Sequence, residues 1–229
     1  MPVADPRSTD RSPAARHRAG RGPARWLPML AVVGLAAAGC GSTDPAVTDV
    51  QRQNNHGYHG TYVAPPYDVP AVRLTDDGGR PFTLASDDRA VDVVFFGYTN
   101  CPDVCQVVMS TITSAYLRLP ESERSRVRVV FVTTDPARDT GSVLADYLAR
   151  FDTHFLGATG PIDAIDRLGK PLGVYVKKGQ RLPSGGYEVD HTTAVYGVTG
   201  GTAPLVWSGS TSPKDMAEDL SRLVKESAA

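Results

Sequence analysis

This sequence predicts an α/β fold with a central mixed sheet flanked by helices, and three observations carry the prediction. An apolar segment at residues 91–96, broken only by Asp92, reads as a buried parallel strand. A second β-branched run at 127–133 follows after one helical pattern, the strand–helix–strand order of a right-handed crossover. Beyond residue 173, short strands alternate with Gly-containing turns, as in an antiparallel edge.

Taken in order, Val72-Arg73-Leu74 and Pro81-Phe82-Thr83-Leu84 flank the turn cluster Asp76-Asp77-Gly78-Gly79 and form an N-terminal β-hairpin. After the first central strand, Val104, Val107, Val108, Ile112, Ala115, Tyr116 and Leu119 recur at helical spacing. That helix starts near Pro102 and closes near Pro120. The second central strand enters Thr134-Asp135-Pro136-Ala137-Arg138-Asp139-Thr140. A helix over about 140–151 follows, burying Val143, Leu144, Tyr147 and Leu148. Phe155-Leu156 is a short strand and 161–168 a brief helix. Val174-Tyr175-Val176 is a strand, 177–186 a polar excursion, and 187–190 leads back to a strand at 193–198. Leu205-Val206-Trp207 pairs with that strand across Thr199-Gly200-Gly201-Thr202. Ser212 caps a last helix with Pro213 in its first turn and Met216, Leu220, Leu223 and Val224 on its core face. Two parallel strands with a helix between, an antiparallel pair and a closing helix make a thioredoxin-like architecture.

At 229 residues, 41% of them apolar, the chain is long enough to bury one real core. The charge is uneven. Residues 1–39 carry six Arg against Asp5 and Asp10, a net of +4, which leaves −1 − 4 = −5 from Cys40 onward. A mildly acidic body with no basic stripe excludes nucleic acid as a partner. Three cysteines are too few for a disulfide framework, so the close pair among them reads as chemical.

The first 39 residues read as a leader. A basic, Pro-rich start precedes an apolar stretch at 26–38, too short to span a bilayer, which takes about 20 residues. Small residues Ala36-Ala37-Ala38-Gly39 and then Cys40 complete the pattern. It resembles a bacterial lipoprotein signal, in which Cys40 becomes the lipidated first residue of an extracytoplasmic, membrane-anchored protein. Ala37 departs from it, since such signals prefer Leu three before the cysteine. The alternative is an ordinary signal or an uncleaved anchor. Residues 40–67 read as a flexible tether whose last part is laid along the domain, and 68–229 as the domain itself. In the tether, His56 and His59 read as solvated linker residues, with capture of Cu(II) or Zn(II) the alternative.

Cys101 and Cys105 sit where the first central strand hands over to a helix, in Phe96-Gly97-Tyr98-Thr99-Asn100-Cys101-Pro102-Asp103-Val104-Cys105. Exposed amides and the helix dipole favour a thiolate there. The pair can close a disulfide or, with a third donor, hold a soft metal. His191, in Val189-Asp190-His191-Thr192-Thr193, stands just ahead of the strand at 194–198, and in this architecture the turn entering that strand faces the cysteine loop. Two thiolates and an imidazole suit copper as Cu(I) or Cu(II). A structural zinc site normally closes with four protein ligands, and no fourth donor is evident.

Three motifs together resemble the Sco (SenC) family of copper-binding thioredoxin-like proteins over roughly 68–226. They are the cysteine motif, Asp135-Pro136-Ala137-Arg138-Asp139-Thr140 and Val189-Asp190-His191-Thr192. The resemblance implies one copper ion held by Cys101, Cys105 and His191. It also implies delivery to the dinuclear centre of cytochrome c oxidase subunit II, with an upstream periplasmic copper donor or thiol reductant as a further partner. Gln106 stands where the family usually has Pro, a change that removes no metal donor. Asp135 and Arg138 read as support that locks the loop near the site. Asp103 and Asp190, each beside a ligand, read as orienting His191 or docking a partner. The rival function is a thiol–disulfide oxidoreductase that reduces the oxidase's copper-site cysteines with the same redox pair, Cys101 and Cys105. A peroxidase lacks its polarising base or Arg beside Cys101, and a copper store would carry more sulfur than Met109 and Met216 add.

Overall fold

The computed structural model describes residues 55–84, 91–174 and 193–227, and the backbone of 177–181 and 187–190. Among the described residues, ten strands and five α-helices follow one another. They are β1 (Thr61–Asp68), β2 (Leu74–Asp76), β3 (Pro81–Phe82), β4 (Val91–Gly97), α1 (Val104–Arg118), α2 (Glu121–Arg124), β5 (Val127–Thr133), α3 (Gly141–Leu148) and β6 (Leu156–Thr159). Then come α4 (Ile162–Gly169), β7 (Lys177–Arg181), β8 (Tyr187–Asp190), β9 (Val195–Thr199), β10 (Thr202–Trp207) and α5 (Pro213–Glu226).

Eight strands form one mixed sheet in the order β1-β10-β9-β4-β5-β6-β2-β3. β4, β5 and β6 are parallel, while β9, β10 and β1 add antiparallel on one side and the β2–β3 hairpin closes the other. Both faces are covered, which is why β4 is apolar at nearly every position. Val91, Val93 and Phe95 pack against α1, α3 and α5, and Val94 and Phe96 against α4 and the hairpin. Asp92, the exception in the run, is buried opposite Arg128 on β5. Two hydrogen bonds of 2.8 and 2.6 Å join the carboxylate to the guanidinium, which lies over the Phe82 ring.

The structure corrects several sequence expectations. The first helix starts at Val104, with Asp103 as its cap, rather than at Pro102. Val107 faces solvent at 60% exposure, because Cys105, Val108, Met109 and Ile112 set the buried stripe. Both sulfur side chains take core positions that an aliphatic pattern overlooks. Val143 is exposed too. The third helix ends at Leu148, short of residue 151. Residues 177–181 form a strand instead of an irregular excursion, paired with β8 in a separate two-stranded sheet.

Residues 55–68 also take part in the fold. β1 pairs with β10, and residues 55–60 are held against α5. Asp219 of α5, buried at 2% exposure, accepts the backbone N–H of His59 and Gly60 and the indole N–H of Trp207, each at 2.8 Å. Tyr58 donates its hydroxyl to Glu226 at 2.6 Å. The last part of the stretch read as tether thus lies along the domain. Gly60 packs so closely on Trp207 that a Cβ there would come within 2.7 Å of the indole. Among the described residues, no helix is long and apolar enough to cross a membrane.

Candidate functional site

The cysteine loop leaves the C-terminal end of β4 and enters α1. Gly97 ends the strand because a Cβ there would meet the Phe131 ring at 2.8 Å. Its carbonyl accepts the backbone N–H of Thr134 at 2.7 Å, tying this loop to the one after β5. The Cys101 N–H closes a turn onto the Tyr98 carbonyl at 3.2 Å. Asp103, an exposed residue, caps α1 by accepting the Val104 N–H, so this carboxylate is engaged locally. Cys105 falls in the first turn, and its own N–H points at the Cys101 sulfur at 3.4 Å.

No disulfide joins the two cysteines, and both are buried, Cys101 at 5% exposure and Cys105 at 0%. Burial pushes the Cys105 thiol far above its ordinary range, and its hydrogen bond to Cys101 adds to that. A backbone hydrogen bond from Tyr98 works the other way and does not overcome it. The expectation of a favoured thiolate therefore fails at Cys105. Desolvation outweighs the helix terminus until a cation or an oxidant takes up the sulfurs.

The loop after β5 supports the cysteine loop. Asp139, fully buried, accepts the Thr99 N–H at 3.0 Å, the Thr99 hydroxyl at 2.6 Å and the Thr133 hydroxyl at 2.7 Å. Asp135 is buried at 3% exposure and accepts from the Arg138 guanidinium, which also lies 5.9 Å over the Tyr98 ring. Tyr147 of α3 is a site neighbour that sequence reading placed only in the core. Its phenol is buried without a hydrogen-bond partner, and burial and the nearby Cys105 and Cys101 push it above its usual range. Helical spacing reveals that Tyr147 faces inward; nothing in the sequence says that it shares a core cluster with Cys101 and Cys105.

Asp190 ends β8, while His191 lies outside the described residues, as does Cys40. The chain is described again from Thr193, against which Gly209 packs: a Cβ on Gly209 would meet Thr193 Oγ1 at 3.3 Å and Val108 of α1 at 3.7 Å. β9 pairs antiparallel with β4 in the register Val195↔Phe95.

A thioredoxin-like domain with a buried dithiol at a strand-to-helix junction is the class that this fold and site define. A SCO1/SenC family model matches residues 66–225, and the chain belongs to that family. Members of this family handle copper and take part in cytochrome c oxidase assembly. Among solved structures, ScoI of Bradyrhizobium japonicum with copper bound is 30% identical at a TM-score of 0.61, covering 68% of this chain and 99% of that one. A SCO1/SenC family lipoprotein from Bacillus anthracis is 25% identical at a TM-score of 0.59, covering 72% and 96% respectively. Mitochondrial protein SCO2 of Saccharomyces cerevisiae is 29% identical over 150 residues, 65% of this chain and 48% of that protein. The chain spans about half the length of such curated relatives.

Proposed function

We propose that this protein is an extracytoplasmic copper chaperone. It binds one copper ion through Cys101, Cys105 and His191 and passes it to the dinuclear copper centre of cytochrome c oxidase subunit II. The observation that carries the reading is the buried pair Cys101 and Cys105, in hydrogen-bond contact at the mouth of α1. The β4–β9 register supports His191 as the third donor. It brings the chain entering β9 to the end of β4 where the cysteine loop begins, and His191 stands four residues before Val195. At about 3.3 Å per extended residue that is a reach of about 13 Å. Two soft sulfurs and one imidazole accept Cu(I) and adapt to Cu(II). Asp139 and the Asp135–Arg138 pair hold the loop that carries Cys101, and Asp103 fixes the start of the helix that carries Cys105.

Residues 1–39 act as a leader, and Cys40 becomes the lipid-modified first residue of the mature chain. The spacer from Cys40 to the docked segment at Asn55 spans at most about 50 Å when extended. The test is copper analysis of the reduced protein. One Cu(I) per chain is expected, lost on Cys101→Ser or Cys105→Ser, whereas His191→Ala should weaken Cu(II) more than Cu(I). Full copper stoichiometry in the Cys101→Ala, Cys105→Ala double variant refutes the site.

Contact between the two sulfurs also favours a second reading, thiol–disulfide exchange. Oxidation of Cys101 and Cys105 to a disulfide releases two electrons and two protons to a partner's disulfide and removes both metal thiolates. His191→Ala separates the two readings. If copper transfer is the task, the variant loses oxidase activity in a deletion strain; if thiol exchange is, it supports near-normal assembly.

A further inference from the structure

His59 sits in the stretch that reads from sequence as solvated linker, yet the fold places it against the first turns of α5. Its Nε2 lies 2.9 Å from a Glu218 carboxylate oxygen and its Nδ1 3.5 Å from an Asp215 carboxylate oxygen. The three side chains offer donor atoms within 4.8 Å of one another. We propose that His59, Asp215 and Glu218 form a second metal site, separate from the cysteine pair, for a divalent transition cation: zinc(II) or copper(II).

The two distances differ in kind. At 2.9 Å, Nε2 and Glu218 are in hydrogen-bond contact, the arrangement in which a carboxylate accepts the ring N–H of a metal-binding imidazole and orients the ring. At 3.5 Å, Nδ1 and Asp215 are too far apart for a good hydrogen bond, which needs about 2.7–3.2 Å. Two ligands each about 2.0–2.1 Å from a tetrahedral ion stand about 3.3 Å apart, close to the separation observed. Glu218 either stays on Nε2 or turns to supply a further oxygen.

The site is built rather than incidental, because the His59 backbone is fixed from beneath. Its N–H and that of Gly60 both bond to Asp219, one turn along α5 from Asp215. Asp219 is spent on those bonds and on Trp207, so it is no ligand itself. The imidazole is 17% exposed and the two carboxylates 39% and 51%, which leaves solvent to fill the remaining coordination positions. Lys214 Nζ, 3.7 Å from the other Glu218 oxygen, is a competing cation there. A metal at this position would cross-link the segment leading out of the membrane tether to the closing helix of the domain.

The test is a titration of Zn(II) alone into the full chain with Cys40, Cys101 and Cys105 all changed to Ser. Thiol ligation is then gone, and the outcome is independent of the copper site. One Zn(II) per chain is expected at neutral pH. His59→Ala and Asp215→Asn should abolish it, and Glu218→Gln should weaken it by about 10–100-fold. Zn(II) should also raise the melting temperature of the parent and leave that of Asp215→Asn unchanged. Should His59→Ala unfold, Asp215→Asn and Glu218→Gln, both at solvent-facing positions, still decide the matter. Failure to bind Zn(II), or a stoichiometry unaltered in Asp215→Asn and lost in His191→Ala, overturns the proposal.

Discussion

Asp139→Ala is the substitution that bears hardest on how the cysteine loop is held. The native carboxylate is fully buried and accepts three hydrogen bonds of 2.6–3.0 Å, two from Thr99 and one from Thr133. Each bond to a charged acceptor contributes about 1.5–3 kcal/mol, so the three together exceed about 4 kcal/mol before relaxation. The two hydroxyls can rotate towards other acceptors or a water, whereas the Thr99 N–H cannot. A net loss of about 3–5 kcal/mol is expected, as for a broken buried charge network. Asp139→Asn keeps one carbonyl acceptor and should cost less, about 1–2 kcal/mol. Thr99 stands two residues before Cys101, so the loosened loop should also lower Cu(I) affinity by about 10–100-fold. Urea unfolding of the reduced protein and competition with a Cu(I) chelator measure the two effects. A stability change under about 1 kcal/mol, or Asn as damaging as Ala, would refute the account of Asp139 as the anchor of the loop.

Other consequences can be measured alongside. Because the Cys105 thiol is raised in the fold, its stability contribution is complete below the ordinary thiol range near about 8.5 and is lost as pH climbs beyond it. The melting temperature of the reduced apoprotein should therefore fall between about pH 8.5 and 10, and Cys105→Ser should flatten that fall. Copper loading at neutral pH should release protons, since the ligands bind as thiolates; calorimetry in buffers of different ionisation enthalpy counts them. Asp92→Ala strands the guanidinium of Arg128, whose side chain is 10% exposed, and should cost about 3–5 kcal/mol. The apolar double variant Asp92→Val, Arg128→Leu should recover most of that loss in the same melts. Gly97→Ala drives a methyl into the Phe131 ring and should destabilise by about 1–3 kcal/mol, with a drop in Cu(I) affinity because Gly97 also anchors the loop after β5.

Much of the fold was legible in the chain because burial on both faces of a parallel sheet writes itself as unbroken apolar runs. Residues 91–96 and 127–133 could be nothing else, and Ser212-Pro213 announced the last helix by its cap. The cysteine pair was legible for a related reason: its chemistry depends on two residues four apart at a strand-to-helix junction, which is local information. The tertiary structure alone decided features that join distant parts of the chain. Asp92 looks like a flaw in a strand until Arg128 is set opposite it, and Asp139 has no evident role until Thr99 and Thr133 converge on it. Burial, not the helix terminus, governs Cys105, because only the packed core reveals how completely solvent is removed from that sulfur. His59 reads as linker for the same physical reason: Asp215, Glu218 and Asp219 lie more than 150 residues further along the chain, and only the pairing of β1 with β10 brings them to it.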